Sequence, residues 1–580
     1  MIDRILQRGG TGPSLAGPGT ERIAVSSWVL LPRIAWALTI TAGLGAGLYL
    51  YATEGGGAGL FASAAMGTMG ALLVVLFRRI LPAVVVVGAT IAIIGTASYV
   101  KQQSSEVLLH AYDVVSLASW SVLTQFAREH QPYALGLSAA ATATAFVAWI
   151  AFRVDGTRIR RMHAWIAVTL FLVLATLASV VKGERRHTEF YFESVYVSFF
   201  LASWAETIEA LWRGGLIEAA PSSRTAALNA PGGCDPRPRP PHIILIHQES
   251  VVPPSHFPTL SYDHGLDPFF HSYDGPLRKL RVETFGGGSW LTEFSVLTGL
   301  STYSFGGMRQ FVQQIMAGRV KDTLPQALAR CGYRNVVFYP MLRHFLGAGR
   351  FFEGVGLHEI YDAKDQRAKS PNERDRFYYA NLLSEIGRHL KSSSRPLFAY
   401  LETMATHGAY DYAYMPEIDV LGGGPGTDPE MHEYLRRLAM ARMDYASLRA
   451  ELTHRFPNQQ FLIVHYGDHQ PTAAWTLLGL REGTTIEKVT QSKNETALTT
   501  YYAIDAVRYH PPALPAIDSL DVPYLGTIIL EAAGLPLSDA YRARRRLMLL
   551  CKGRYQDCPA QDEVLNFQRR LVNSGLIDPR

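Results

Sequence analysis

Charge is scarce in this chain, and cysteine scarcer: Asp, Glu, Lys and Arg together make up 18% of its 580 residues, and there are four cysteines. No run of Lys or Arg is long enough to grip a phosphate backbone, and the net charge of +5 implies no polyanionic partner. Nucleic acid is therefore excluded as a partner. The cysteines, Cys234, Cys331, Cys551 and Cys558, have no other soft ligands clustered near them in sequence, which argues against a thiolate metal centre. The N-terminal stretch is not expected to be a cleavable signal peptide, because several more apolar stretches follow the first.

What replaces charge, from about residue 27 to 181, is apolar and small side chains. Five spans are expected, at roughly 28–51, 57–77, 80–99, 135–153 and 163–181. Each is near the ~20 residues that cross a bilayer. Trp28, Trp36, Tyr49 and Tyr51 fall near span ends, where aromatic rings favour the membrane interface. Buried core helices of a soluble protein would not come five in succession with almost no charge.

The few charges between spans carry the topology. Arg4, Arg8 and Arg22 precede the first span, Arg78 and Arg79 follow the second, and Arg153, Arg158, Arg160 and Arg161 follow the fourth. The loops after the first and third spans carry less, with Glu54, Glu106, Asp113 and Glu129 opposing Lys101 and Arg128. Positive charge stays inside, so the N-terminus is expected in the cytoplasm and everything after about 182 outside. Lys182, Arg185 and Arg186 would then meet anionic headgroups. All four cysteines fall in the exported part, where disulfides persist; Cys551 with Cys558 is the first expected pair and Cys234 with Cys331 the second.

Residues 187–212 are aromatic and apolar but contain Glu189, Glu193, Glu206 and Glu209. Burying those carboxylates in lipid would be costly, so a helix lying on the membrane surface is expected rather than a sixth span. A linker rich in Pro, Ala, Ser and Arg follows at about 218–241. From His242 onward, short apolar runs alternate with helical stretches. HIILIHQE (242–249), NVVFYP (335–340), PLFAYLE (396–402) and QFLIVHYGDH (460–469) read as buried strands, and 323–332 and 376–391 as helices. The fold class is thus an N-terminal all-α five-span transmembrane bundle plus a C-terminal α/β domain with a mostly parallel central sheet. The expected divisions are 1–186 for the bundle, 187–241 for the interfacial helix and linker, 242–550 for the exported domain and 551–580 for a tail.

Ligands of such sheets bind at the carboxyl ends of strands. The first strand ends in Gln248, Glu249 and Ser250, and the last in Tyr466, Gly467, Asp468 and His469. Between them, VETFGGGSWLTEFSVLTGL (282–300) is a glycine-rich turn followed by hydroxyls and a helical pattern. A carboxylate plus an Asp–His pair suits one divalent cation, and a hydroxyl at a turn opening a helix is placed to complete the set. Metal contact lowers the pKa of that hydroxyl and makes it a nucleophile.

These blocks, with ETMATHGAYDY (402–412), resemble the alkaline-phosphatase/sulfatase superfamily, most closely its membrane branch typified by lipoteichoic-acid synthase. That branch likewise has five spans, a linker and an exported catalytic domain. The resemblance implies that Glu249, Ser289, Asp468 and His469 bind one divalent cation, with Mn²⁺ or Mg²⁺ ahead of Zn²⁺. It puts Ser289 where the family has a threonine nucleophile, with Glu293 and Phe294 matching the continuation and Thr292 the runner-up; Thr284 and Ser295 read as structural. His407 falls at a substrate-contacting histidine. The family's Trp-x-Arg clamp is missing from MLRHFLGAGRFFEGVG (341–356), which leaves Arg343, His344 and Arg350 as cations for phosphate.

The resemblance implies a phosphoryl-group transferase of a bacterial inner membrane, with its catalytic domain periplasmic. It would take a phospho-headgroup, phosphoglycerol first, from a phospholipid donor through Ser289 to a glycan or glycolipid acceptor. The rivals are a phosphoethanolamine transferase, a sulfatase-like hydrolase and an inactive sensor. True sulfatase activity is disfavoured because Ser289 lacks the following x-Pro-x-Arg signal for formylglycine, and Trp290, Leu291, Thr292 and Glu293 stand there instead.

Overall fold

The computed structural model describes residues 27–105, 108–117, 124, 131–181, 195–213, 215–219, 225–234, 240–480, 489–490 and 492–579. Arg4, Arg8, Arg22, Glu106, Arg128, Glu129, Lys182, Arg185, Arg186, Glu189, Glu193 and linker residues 220–224 and 235–239 lie outside them.

Among the described residues, four helices are long and apolar enough to cross a membrane, at Gly56–Phe77, Leu81–Gln103, Gln131–Val154 and Arg161–Ser179, and they cover the second to fifth expected spans. The helix Ser27–Glu54 covers the first. Large apolar side chains face outward on these helices, such as Leu76, Leu135, Phe146 and Leu170, as a helix needs when lipid rather than water surrounds it. The two basic loops meet at one end of the bundle, where Ile159 N–H donates to Arg78 O at 2.9 Å. Asp155 fastens that end by accepting from the N–H groups of Ile80 and Leu81 at 3.1 and 3.0 Å, a carboxylate at the positive start of the next helix.

The segment expected on the membrane surface forms the helix Tyr196–Arg213. Its first turn is capped from the bundle, with Glu54 accepting from Val197 N at 2.6 Å and Ser198 N at 2.8 Å. One face packs against the helices Gly56–Phe77 and Leu81–Ser105, while Ile208, Leu211 and Trp212 remain exposed.

The remainder is built on one eight-stranded sheet: β1 (His242–Gln248), β2 (Arg278–Arg281), β3 (Arg334–Phe338), β4 (Glu359–Tyr361), β5 (Leu397–Thr403), β6 (Phe461–Gly467), β7 (Thr499–Val507) and β8 (Ser519–Asp521). The order is β4-β3-β5-β1-β6-β7-β2-β8, parallel except where β7 runs against β6 and β2. The four strands expected from apolar runs are β1, β3, β5 and β6, and they lie side by side at the centre. They are buried along both faces because the side chains alternate into two cores: Ile243 and Leu245 into one, Ile244 and Ile246 into the other.

The first of those cores is not confined to the sheet. It runs from Ala58, Leu108 and Phe199 of the membrane half through Phe311 and Leu297 to Leu245. Polar ties reinforce the join: Arg319 donates to Tyr112 Oη at 3.1 Å, and Glu218 N–H to Ser304 O at 2.8 Å. Residues 551–579 are also integrated, since the helix Gln561–Asn573 buries Val564, Phe567, Leu571 and Val572 in that core. Both expected disulfides are present, Cys234–Cys331 and Cys551–Cys558.

Candidate active site

Three chain segments converge at the carboxyl ends of β1 and β6. Glu249 follows β1, Asp468 and His469 follow β6, and Ser289 is the first residue of the helix Ser289–Thr298. That helix starts here because Gly286, Gly287 and Gly288 have φ of 64°, 149° and 83°, values that only glycine adopts without strain. A Cβ at Gly288 would also come within 2.8 Å of Thr284 Oγ1. The turn therefore delivers the Ser289 hydroxyl at the positive end of a helix, where developing negative charge is favoured.

The four functional groups are mutually close. Ser289 Oγ donates to Glu249 Oε2 at 2.8 Å and lies 3.4 Å from His469 Nε2. His469 Nε2 is 3.2 Å from Glu249 Oε1 and 3.3 Å from Asp468 Oδ2. Donors bound at about 2.0–2.2 Å to one cation stand roughly 3–3.5 Å apart, so these spacings suit a single divalent ion. Orienting bonds hold the carboxylates. Asp468 Oδ1 accepts from Ser250 N at 2.7 Å and His469 N at 2.8 Å, and Ser250 Oγ donates to Glu249 Oε1 at 2.8 Å. Ser250 takes the left-handed conformation, φ 57°, that aims its N–H inward.

Electrostatics follow the burial. Dehydration opposes protonation of His469, but the carboxylates of Asp468 and Glu249 outweigh it and raise its pKa to about 9. Burial likewise opposes ionisation of Glu249, and His469 overrides it, holding the carboxyl well below its usual range. A proton on His469 thus balances part of the acidic cluster, the role a metal ion fills when bound.

Two flanking features were not read from the sequence. His247, two residues before Glu249 and so on the same face of β1, brings Nε2 to 3.1 Å from Asp468 Oδ2. Ligand atoms of His247, Glu249 and Asp468 all lie within 4.8 Å of one another. Behind it, Nδ1 touches the hydroxyls of Tyr400 and Tyr466 at 2.9 and 3.0 Å. The second feature is Glu402 at the end of β5, which burial and the neighbouring Glu293 push well above the ordinary carboxyl range. The period-two alternation of strands was the available signal for His247; nothing in PLFAYLE marked Glu402 as buried.

The other expected residues divide. His407 follows β5 in a loop fixed by the fully buried Arg437, whose guanidinium donates to His407 O at 2.6 Å, Ala409 O at 2.9 Å and Tyr412 O at 3.1 Å. His407 Nδ1 pairs with Gly408 O at 2.6 Å, so Nδ1 carries the hydrogen. Arg343, half exposed, is engaged by Asp362 at 3.2 Å and Asp365 at 2.7 Å. His344 and Arg350 are exposed on the same segment, which packs against the helix Leu81–Ser105 at Phe345–Gly347. Thr292 is buried and donates to Asp468 O at 2.7 Å, and Thr284 donates to Gly287 O.

Residues 282–491 match the Sulfatase family model. A curated relative, an uncharacterized protein of Haemophilus influenzae, is 22% identical over 356 residues. The match covers 58% of this chain and 59% of the relative, so the chain spans about three fifths of that protein's length. Among solved structures, the Streptococcus pyogenes phosphoglycerol transferase GacH in complex with sn-glycerol-1-phosphate is similar at 19% identity, with 59% of this chain and 87% of that chain covered and a TM-score of 0.45. The lipooligosaccharide phosphoethanolamine transferase A of Neisseria meningitidis is similar at 10% identity over 82% of this chain and 85% of its own, with a TM-score of 0.39.

Proposed function

We propose that this protein is a membrane-anchored, metal-dependent phosphoryl-group transferase. It moves a phospholipid-derived phospho-headgroup, phosphoglycerol before phosphoethanolamine, to a hydroxyl of a glycan or glycolipid. The observation that carries this reading is the Ser289 hydroxyl at a helix start, 2.8 Å from Glu249 and 3.4 Å from His469.

Glu249, Asp468, His469 and Ser289 are the residues that would hold the divalent cation, and the buried Asp468 Oδ2, without a hydrogen-bond partner among the described residues, fits that role. When bound, the cation supplies charge neutralisation and a more acidic serine hydroxyl. Ser289 Oγ attacks the headgroup phosphorus; the Oγ–P bond forms and the P–O bond to diacylglycerol breaks. The proton lost by Ser289 ends on the diacylglycerol oxygen. The acceptor hydroxyl then attacks the same phosphorus, the acceptor O–P bond forms and the Oγ–P bond breaks, and the acceptor's proton returns to Ser289 Oγ. With its hydrogen on Nδ1, His407 presents Nε2 as the base for that hydroxyl. The positive helix end stabilises charge on the transferring oxygens.

The catalytic domain is assigned to the outer face of the inner membrane, with the N-terminus in the cytoplasm. This is supported by the meeting of the two Arg-rich loops at one end of the bundle and by two disulfides in the catalytic half. A lipid donor is supported by the packing of the His344 segment against a membrane helix.

The test is mass spectrometry of the full-length protein after incubation with mixed phospholipids. The Ser289 peptide should gain one headgroup phosphate, and the mass gained distinguishes glycerol from ethanolamine. Ser289→Ala should carry no adduct and lose turnover by roughly 10³-fold or more; turnover surviving in that variant would sink the nucleophile assignment.

A further inference from the structure

The residue that neither the motif set nor the proposed chemistry uses is His247. Its side chain is 1% exposed and that of Asp468 is fully buried. Nε2 of His247 and Oδ2 of Asp468 lie 3.1 Å apart, yet neither has a hydrogen-bond partner among the described residues. The contact is close enough for a hydrogen bond but not aligned for one. The two make a buried ion-pair contact without an aligned hydrogen bond, and the position is reinforced from behind. Nδ1 is held by Tyr400 Oη at 2.9 Å and Tyr466 Oη at 3.0 Å, and these hydroxyls are 3.2 Å from each other. The two hydroxyls fix the ring through Nδ1 and leave Nε2 directed at Asp468. A ring clamped through one nitrogen, with the other aimed at a carboxylate oxygen that already faces His469 Nε2 at 3.3 Å, has the arrangement of a metal-ligating histidine and its supporting partners.

We propose that His247 is an additional ligand of the cation, so that the donor set is Glu249, Asp468, His469, Ser289 and His247, with Tyr400 and Tyr466 orienting the new imidazole. The inference rests on the metal-dependent reading given above and extends it. Two carboxylates, two imidazoles and a hydroxyl form a more nitrogen-rich set than the four expected residues. It moves the preference away from hard Mg²⁺ toward borderline cations, Zn²⁺ among them.

The experiment uses the full-length, detergent-solubilised protein loaded with Zn²⁺ alone and counts imidazole ligands by X-ray absorption. Two imidazoles are expected in the unmodified chain, and one in each of His247→Gln and His469→Gln. Zn²⁺ affinity of His247→Gln, by calorimetry, should fall by at least about tenfold. A single imidazole in the unmodified chain overturns the assignment without any variant having to fold, as do two imidazoles persisting in His247→Gln. A chain that binds no stoichiometric Zn²⁺ would overturn both this inference and the metal-dependent reading, whereas one Zn²⁺ held by one imidazole overturns the His247 assignment alone.

Discussion

His469 sits between two carboxylates, and its behaviour with pH follows from that. Its pKa of about 9 in the folded, metal-free site is above its ordinary 6.5. The sign is that of a raised base: its contribution to stability is fully present below 6.5 and is lost as pH rises through about 9. A cation entering the site must displace that proton, so affinity should strengthen as pH rises toward about 9 and level off above it. Calorimetry at pH 7 in buffers of different ionisation enthalpy should register net proton release on Zn²⁺ or Mn²⁺ binding; no release would contradict the arrangement around His469. At this scale much of the site was legible in the sequence. Glu249, Asp468 and His469 each stand just past an apolar run, where parallel sheets collect chemistry, and Ser289 follows three glycines. His247 was not legible for the converse reason, because inside HIILIHQE it looks like one more interior strand residue. Glu402 is hidden by the same logic, since the pairing of β5 with β1 that buries it is a long-range fact absent from the local pattern.

Elements set the residues in place through contacts the sequence does not advertise. The loop carrying His407 is held from one side by Arg437 and from the other by Asp375, the first residue of the helix Asp375–Ser392, which accepts from Ala405 N at 3.0 Å. Burial, with help from Asp444, raises Asp375 from 3.8 to about 7. Between those two values the folded protein binds a proton that the unfolded chain does not, so stability falls as pH rises across that window. Asp375→Asn keeps the acceptor for Ala405 and removes the titration. The thermal midpoint of the unmodified protein should therefore decline relative to this variant between about pH 4 and 7; parallel curves would argue against a buried, neutral Asp375. The helix Gln561–Asn573 shows the opposite case. Val564, Phe567, Leu571 and Val572 recur at helical spacing, so the pattern was present in a region expected only as a tail. What the pattern alone did not reveal is that this stripe closes the core beneath Ser304, which accepts from Gln568 at 2.8 Å.

At the scale of the whole molecule, the spans and the α/β order were readable because composition and periodicity change sharply near residue 182 and again at His242. How the halves join was not, since the residues that meet, such as Tyr112 and Arg319, are 207 apart in sequence. The proposed topology makes a direct prediction: in spheroplasts, added protease should reach a C-terminal tag, while an N-terminal tag is cut only after the membrane is opened. The reverse pattern would overturn the orientation.

The unbroken interior from Ala58 and Phe199 to Leu245 has a further effect. Under the proposed topology, a catalytic domain sharing its core with the membrane helices in this way is held at the distance from the bilayer that the shared core sets. On the proposed reading, the enzyme works at one fixed depth, and donor and acceptor must each diffuse laterally to a stationary workplace.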